Sequence, residues 1–137
     1  MVSASALRGF CELAKVDHLI FKFRVYQVLL GNSHDEESQF AAHTGCRLGR
    51  WYYEGEGKTM FSHLPGYAEI EKPHIGVHEY ALVALRAHAK ADVETTITAV
   101  AEMERASLTV LENLERMAKS GETNKELICP RKTGQGE

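Results

Sequence analysis

An all-α fold, a small bundle of four or five helices, is what this sequence predicts, and three observations carry the prediction. Only three prolines, Pro65, Pro73 and Pro130, interrupt 137 residues. The segments between turn signals are long. Within them apolar residues recur at steps of three and four, the period of one helix face, and not with the alternation of a strand. A chain of this length, 44% hydrophobic, suffices for one core and is too short for two comfortable domains. The expected organisation is a bundle over residues 1–120 and a flexible C-terminal tail over 121–137.

The first helix is predicted to start near Ser3 or Ser5, either of which can cap it, and to stop at Gly31. Its stripe runs Cys11, Ala14, His18, Phe21, Val25 and Val28, so His18 falls inside a core seam. Residues 32–45 read as a polar loop with a helical turn around Glu37 to Ala42. The stretch "CRLGRWYYEGEGK" fits a short helix bounded by Gly45 and Gly55, with Trp51, Tyr52 and Tyr53 as packing residues. Pro65 and Gly66 mark a turn, and the next helix either begins or kinks at Pro73. Its seam is His74, His78, Ala81, Leu85 and His88, the last near a solvated bundle end. Asp92 caps a final helix that ends at Gly121 and whose stripe is Ile97, Val100, Ala101, Leu108, Leu111 and Leu114.

Composition excludes several function classes. A net charge of -3 leaves no basic footprint for nucleic acid or anionic lipid. Apolar runs such as "HLIFKFRVYQVLLG" are broken by charge well short of the roughly 18 residues a membrane span requires. Arg8, Glu12 and Lys15 interrupt the N-terminal segment, which therefore does not read as a signal peptide, and a cytoplasmic location is expected. Three cysteines, Cys11, Cys46 and Cys129, are an odd number and do not suggest a disulfide framework. Cys11 reads as a small core residue and Cys129 as an exposed one in the tail.

The chemistry lies in the histidines. One histidine in a core seam is more often a polar group satisfied by a hydrogen bond than a ligand. Three on two helices are different, because each buried imidazole needs a partner and few other buried polar groups are on offer. His74 and His78, at i and i+4, point to one side of their helix, and His18 approaches from the facing one. Cys46 is the best fourth candidate, since it opens a predicted helix whose N-terminal amides are expected to lower its pKa. An inert buried thiol is the competing reading. One sulfur and three nitrogens suit zinc better than magnesium or calcium. His43 could substitute as a ligand, though its polar loop favours the surface; His34 and His63 are read as exposed. Asp17 and Glu79 are read as solvated carboxylates, with an outer role beside His18 and His78 as the alternative.

Three blocks, "ELAKVDHLIFKFRVYQVLLG", "CRLGRWYYEGEGK" and "PHIGVHEYAL", resemble in order and spacing those of the bacterial chemoreceptor zinc-binding domain, over about residues 7 to 118. The resemblance implies a helical bundle holding zinc through three histidines and one cysteine, which fall here on His18, Cys46, His74 and His78. It also implies a sensor of zinc availability, or of oxidants such as hypochlorous acid through the metal-bound Cys46, that controls chemotaxis or cyclic-di-GMP output. Members of the family are found fused to cytoplasmic chemoreceptors and diguanylate cyclases, and also alone. No signalling coiled coil or cyclase signature is read in this sequence, so the output module is expected in cis beyond it or in trans. A homodimer is expected because receptors and cyclases of this type work as pairs. Two alternatives stand beside this reading. One is a metal-dependent enzyme resembling the DinB family, with an open three-histidine site; the other is a metal-free interaction bundle whose seam extends into a dimer. A metalloprotease is disfavoured, because position 75 is Ile75 and the general-base glutamate of H-E-x-x-H is missing.

Overall fold

The computed structural model describes residues 4–123, and within them the chain is helical, without strands. Four α-helices follow in order: α1 (Ala4–Leu29), α2 (Arg47–Tyr53), α3 (Glu71–Ala89) and α4 (Val93–Thr123). Short 3-10 turns at Glu37–Gln39 and Ala68–Ile70, and a π turn at Gly57–Phe61, fill the connections. The three long helices pack together, α4 against both α3 and α1, while α2 rests on α1. The predicted cap at Ser3, the tail after residue 123 and Cys129 lie outside the described residues.

α1 forms as its periodicity requires. Leu7, Cys11, Ala14, His18 and Val25 are buried along it, with Phe21 and Val28 packed against the core from its edge. Full burial of side chains such as Leu7 and Val25 stabilises the fold by roughly 1.5–3 kcal/mol each. Gly31, at φ 82°, closes the helix: its amide bonds Val28 O at 3.0 Å and the Asn32 amide bonds Gln27 O at 2.8 Å, satisfying carbonyls that the helix end leaves open.

α3 neither begins at Pro73 nor needs to kink there. It starts two residues earlier, after the Ala68–Ile70 turn, so Pro73 occupies the first helical turn, where a backbone N–H has no intrahelical partner to lose. The predicted seam is present, with His74, His78, Ala81 and Leu85 buried, and His88 is exposed.

α4 corrects its predicted stripe. Ile97 and Leu108 are 64% and 57% exposed, and the buried seam is Ala99, Met103, Ser107, Val110, Leu114, Met117 and Gly121. Beside that ridge Gly76 of α3 meets Ala106 of α4 closely: a Cβ on Gly76 would stand 3.3 Å from the Ala106 Cβ. Gly121 is buried inside the helix, which continues to Thr123. Asp92 does cap α4, its Oδ1 accepting from the Thr95 amide at 3.1 Å.

The aromatic cluster is packing, as its composition suggests. Trp51 stacks on Phe10 at 4.3 Å and lies 5.9 Å from Phe61. Tyr52 and Tyr67 stack at 4.1 Å, each hydroxyl donating to the other's backbone carbonyl. This cluster pins α2 and the Gly57–Ile70 connection against the bundle, and that fixes where Cys46 stands.

Candidate metal centre

Cys46 is the N-cap of α2. Its backbone is extended (φ -78°, ψ 168°), and its Sγ accepts from the Gly49 amide at 3.4 Å, which takes up one of the helix's orphan donors. Arg50 ties the preceding turn down by donating to Gly45 O at 2.7 Å. Gly49 is required by the packing: a Cβ there would lie 1.8 Å from His43 O.

On α3, His74 and His78 are 1% and 5% exposed, with ring centroids 4.9 Å apart. One ligand atom each from Cys46, His74 and His78 lie within 4.8 Å of one another. The Sγ of Cys46 is 3.3 Å from Nε2 of His74. In a tetrahedral zinc site, bond lengths of about 2.3 Å to sulfur and about 2.0–2.1 Å to nitrogen put such a pair about 3.5 Å apart, so the separation fits a shared ion. His78 is oriented for the same purpose. Its Nδ1 donates to Ala41 O at 2.8 Å; a carbonyl only accepts, so Nδ1 carries the proton and Nε2 keeps its lone pair for a metal.

A cavity of about 40 Å³ joins these atoms, and His18, Asp17, Phe21 and Leu48 are among the residues that complete its lining. His18 is 6% exposed and is not one of the clustered three; its Nε2 is 3.0 Å from Ser107 Oγ, which leaves Nδ1 as the ring atom without that bond. Asp17, at the same cavity, has Arg47 Nε 3.1 Å from its Oδ2, in an ion pair whose geometry is not that of a hydrogen bond. His43, expected at the surface, is half-buried, with its ring 5.9 Å from that of His74. His34, His63 and Glu79 are exposed.

Burial sets the protonation states. Desolvation pulls His18 down to about 4 and His74 down to about 3, with His78 adding to both shifts. It lowers His78 as well, against the Ala41 carbonyl. All three are therefore neutral imidazoles near pH 7, the form that ligates. The thiol departs from expectation. Backbone amides of Gly49 and Leu48 do pull its pKa down, but burial outweighs them and holds it above the ordinary value. Without a metal Cys46 is a thiol, and metal binding must displace its proton.

Ser107 and the Ala41 carbonyl are the polar groups that sequence reasoning missed. A backbone carbonyl leaves no trace in a sequence. Ser107 did leave one, as a lone hydroxyl among Met103, Val110 and Leu114 at helical spacing, but it sits on the ridge of α4 that the more apolar outer stripe concealed.

A thiol and neutral imidazoles gathered in a small, mostly apolar cavity of a helical bundle define a metal-binding domain with a nitrogen and sulfur donor set. Residues 18–85 match the model of the chemoreceptor zinc-binding domain. The chain thus carries a domain of that family, and the match spans all four residues predicted as ligands, His18, Cys46, His74 and His78. No curated protein and no solved structure matches the chain. No helix among the described residues is long and apolar enough to cross a membrane.

Proposed function

We propose that this domain is a regulatory zinc sensor in which Cys46 is the responsive ligand, reporting zinc availability or an oxidant such as hypochlorous acid to a separate output module. The observation that carries the reading is the pairing of Cys46 Sγ with His74 Nε2 at 3.3 Å, on two different elements. Bound zinc would join Cys46, His74 and His78, with His18 as the fourth ligand, and would hold the sulfur as thiolate. With four protein ligands there is no open position for a substrate or a reactive water. The cavity of about 40 Å³ is also far below the roughly 300 Å³ of ordinary small-molecule sites. The small volume favours regulation over the DinB-like enzyme.

The response follows from where Cys46 sits. Attack of its thiolate on the chlorine of hypochlorous acid forms a sulfur–chlorine bond and breaks the chlorine–oxygen bond, releasing hydroxide, and water then displaces chloride to give the sulfenic acid (net RS⁻ + HOCl → RSOH + Cl⁻), the sulfur losing the two electrons that chlorine gains. A sulfenic acid is a poor zinc ligand, so α2 would lose its metal link to α3. Because α2 is only seven residues long, it has little helical stability of its own, and its displacement changes the surface beside α1. A chemoreceptor signalling module or a diguanylate cyclase, in cis or in trans, is the proposed reader, in the cytoplasm.

Cobalt substitution tests the assignment. A sulfur-to-metal charge-transfer band that Cys46→Ala abolishes, and that stoichiometric hypochlorite removes from the wild type, is expected. Loss of the band in Cys46→Ala without any response to hypochlorite would leave zinc availability as the stimulus. Absence of the band in the wild type would return the open-site enzyme to consideration.

A further inference from the structure

Ser107 of α4 is 0% exposed, a hydroxyl set in a ridge of Met103, Val110 and Leu114, and its Oγ is 3.0 Å from Nε2 of His18 on α1. The easiest partner for a hydroxyl in a helix is the carbonyl one turn back. Thr96, Thr98, Thr109, Ser120 and Thr123 on the same helix each donate to that carbonyl. Among the described residues Ser107 departs from the pattern, its bond crossing the bundle to α1. α4 supplies none of the four candidate ligands, and through this bond it meets one of them.

The bond selects the atom of His18 that can ligate. His18 borders the cavity shared with Cys46, His74 and His78 but stands outside their tight cluster, so its ring must be held from elsewhere. Ligation through Nε2 would take that nitrogen off Ser107 and strand a fully buried hydroxyl, a larger loss than the net worth of the bond itself. Ligation through Nδ1 keeps the bond. Nε2 then carries the proton and donates to Ser107 Oγ, whose own hydrogen is free to turn to the Met103 carbonyl one turn back. His78 is fixed the opposite way, with its proton on Nδ1 for Ala41 O.

We propose that Ser107 is a positioning residue of the metal centre: it accepts from Nε2–H of His18 and thereby directs Nδ1 to the metal, making α4 part of the site. This rests on zinc as the ion proposed for the centre. Competition with a chromophoric zinc chelator and 15N NMR of the histidine rings, both on the full chain, test it. In the zinc-loaded wild type His18 is expected to carry its proton on Nε2 and the metal on Nδ1, and His78 the reverse. Ser107→Ala is expected to weaken zinc binding about tenfold or more, and to weaken it no further in a His18→Ala background, where a purely structural loss would recur. Ligation of His18 through Nε2, an unchanged affinity in Ser107→Ala, or an equal loss in both backgrounds overturns the proposal and leaves the zinc centre standing. A wild type that binds no zinc overturns the zinc centre and the proposal with it.

Discussion

Gly49 shows how much of the site depends on single atoms. Its hydrogen lies where any Cβ would stand 1.8 Å from His43 O, and the turn carrying that oxygen leads directly into Cys46. Gly49→Ala is expected to lower the unfolding free energy by about 1–3 kcal/mol, seen as a lower melting temperature, and to loosen zinc retention; an unchanged melting curve contradicts the packing described. The histidines predict a pH dependence for the metal-free protein. Their folded values lie below the ordinary one, at about 4 for His18 and about 3 for His74. Stability is therefore complete above about pH 6.5, the unfolded value, and falls as the pH drops toward the folded values, because the unfolded chain takes up protons that the folded one refuses. The slope is roughly 1.4 kcal/mol per pH unit for each such histidine. Urea midpoints constant between pH 7 and pH 5 would contradict it. His74, His78 and Cys46 were legible because i, i+4 spacing and an N-cap position are local properties. Which ring nitrogen of His78 is left free to ligate was not, since Ala41 reaches the other only in the folded chain.

The helices themselves were largely legible, and the exceptions have local causes. α1 and α3 each carry a buried stripe that includes histidine, and in both the periodicity named the face toward the core. α4 offers two ridges, and the one with the larger aliphatics, Ile97, Leu108 and Leu111, turns away from the core. The buried ridge has Ala99, Ser107 and Gly121 among its members, whose low hydrophobicity hides the fact that small side chains are what close helix packing needs. The connection between α3 and α4 supplies a test. Ala91 sits at φ 59°, with its amide bonded to His88 O and the Asp92 amide to Ala87 O. A helix end of this form favours glycine, and a Cβ in the left-handed region costs about 1–2 kcal/mol. Ala91→Gly is therefore expected to raise the unfolding free energy by about 1 kcal/mol, offset in part by the greater freedom of the unfolded chain. A loss of stability measured by urea denaturation would mean that the side chain makes a contact outweighing its strain.

At the scale of the whole molecule, the metal centre joins α2 to the three-helix bundle. The Cys46 cap, the first turns of α3 and the α1 stripe through His18 all border one cavity, so a zinc ion held there would link metal binding to folding. Removing zinc with a strong chelator is expected to lower the melting temperature and leave the long helices formed, because their seams are apolar away from the site. Losing His74 and His78 together should do more damage than losing Cys46, since both lie in the core and the sulfur at its edge. X-ray absorption at the zinc edge on the purified wild-type protein, with metal analysis of the same sample, tests the central claim most directly. The account predicts one zinc per chain with a single sulfur neighbour at about 2.3 Å and nitrogen neighbours at about 2.0 Å. A sample without stoichiometric zinc, or one whose metal has no sulfur neighbour, contradicts it.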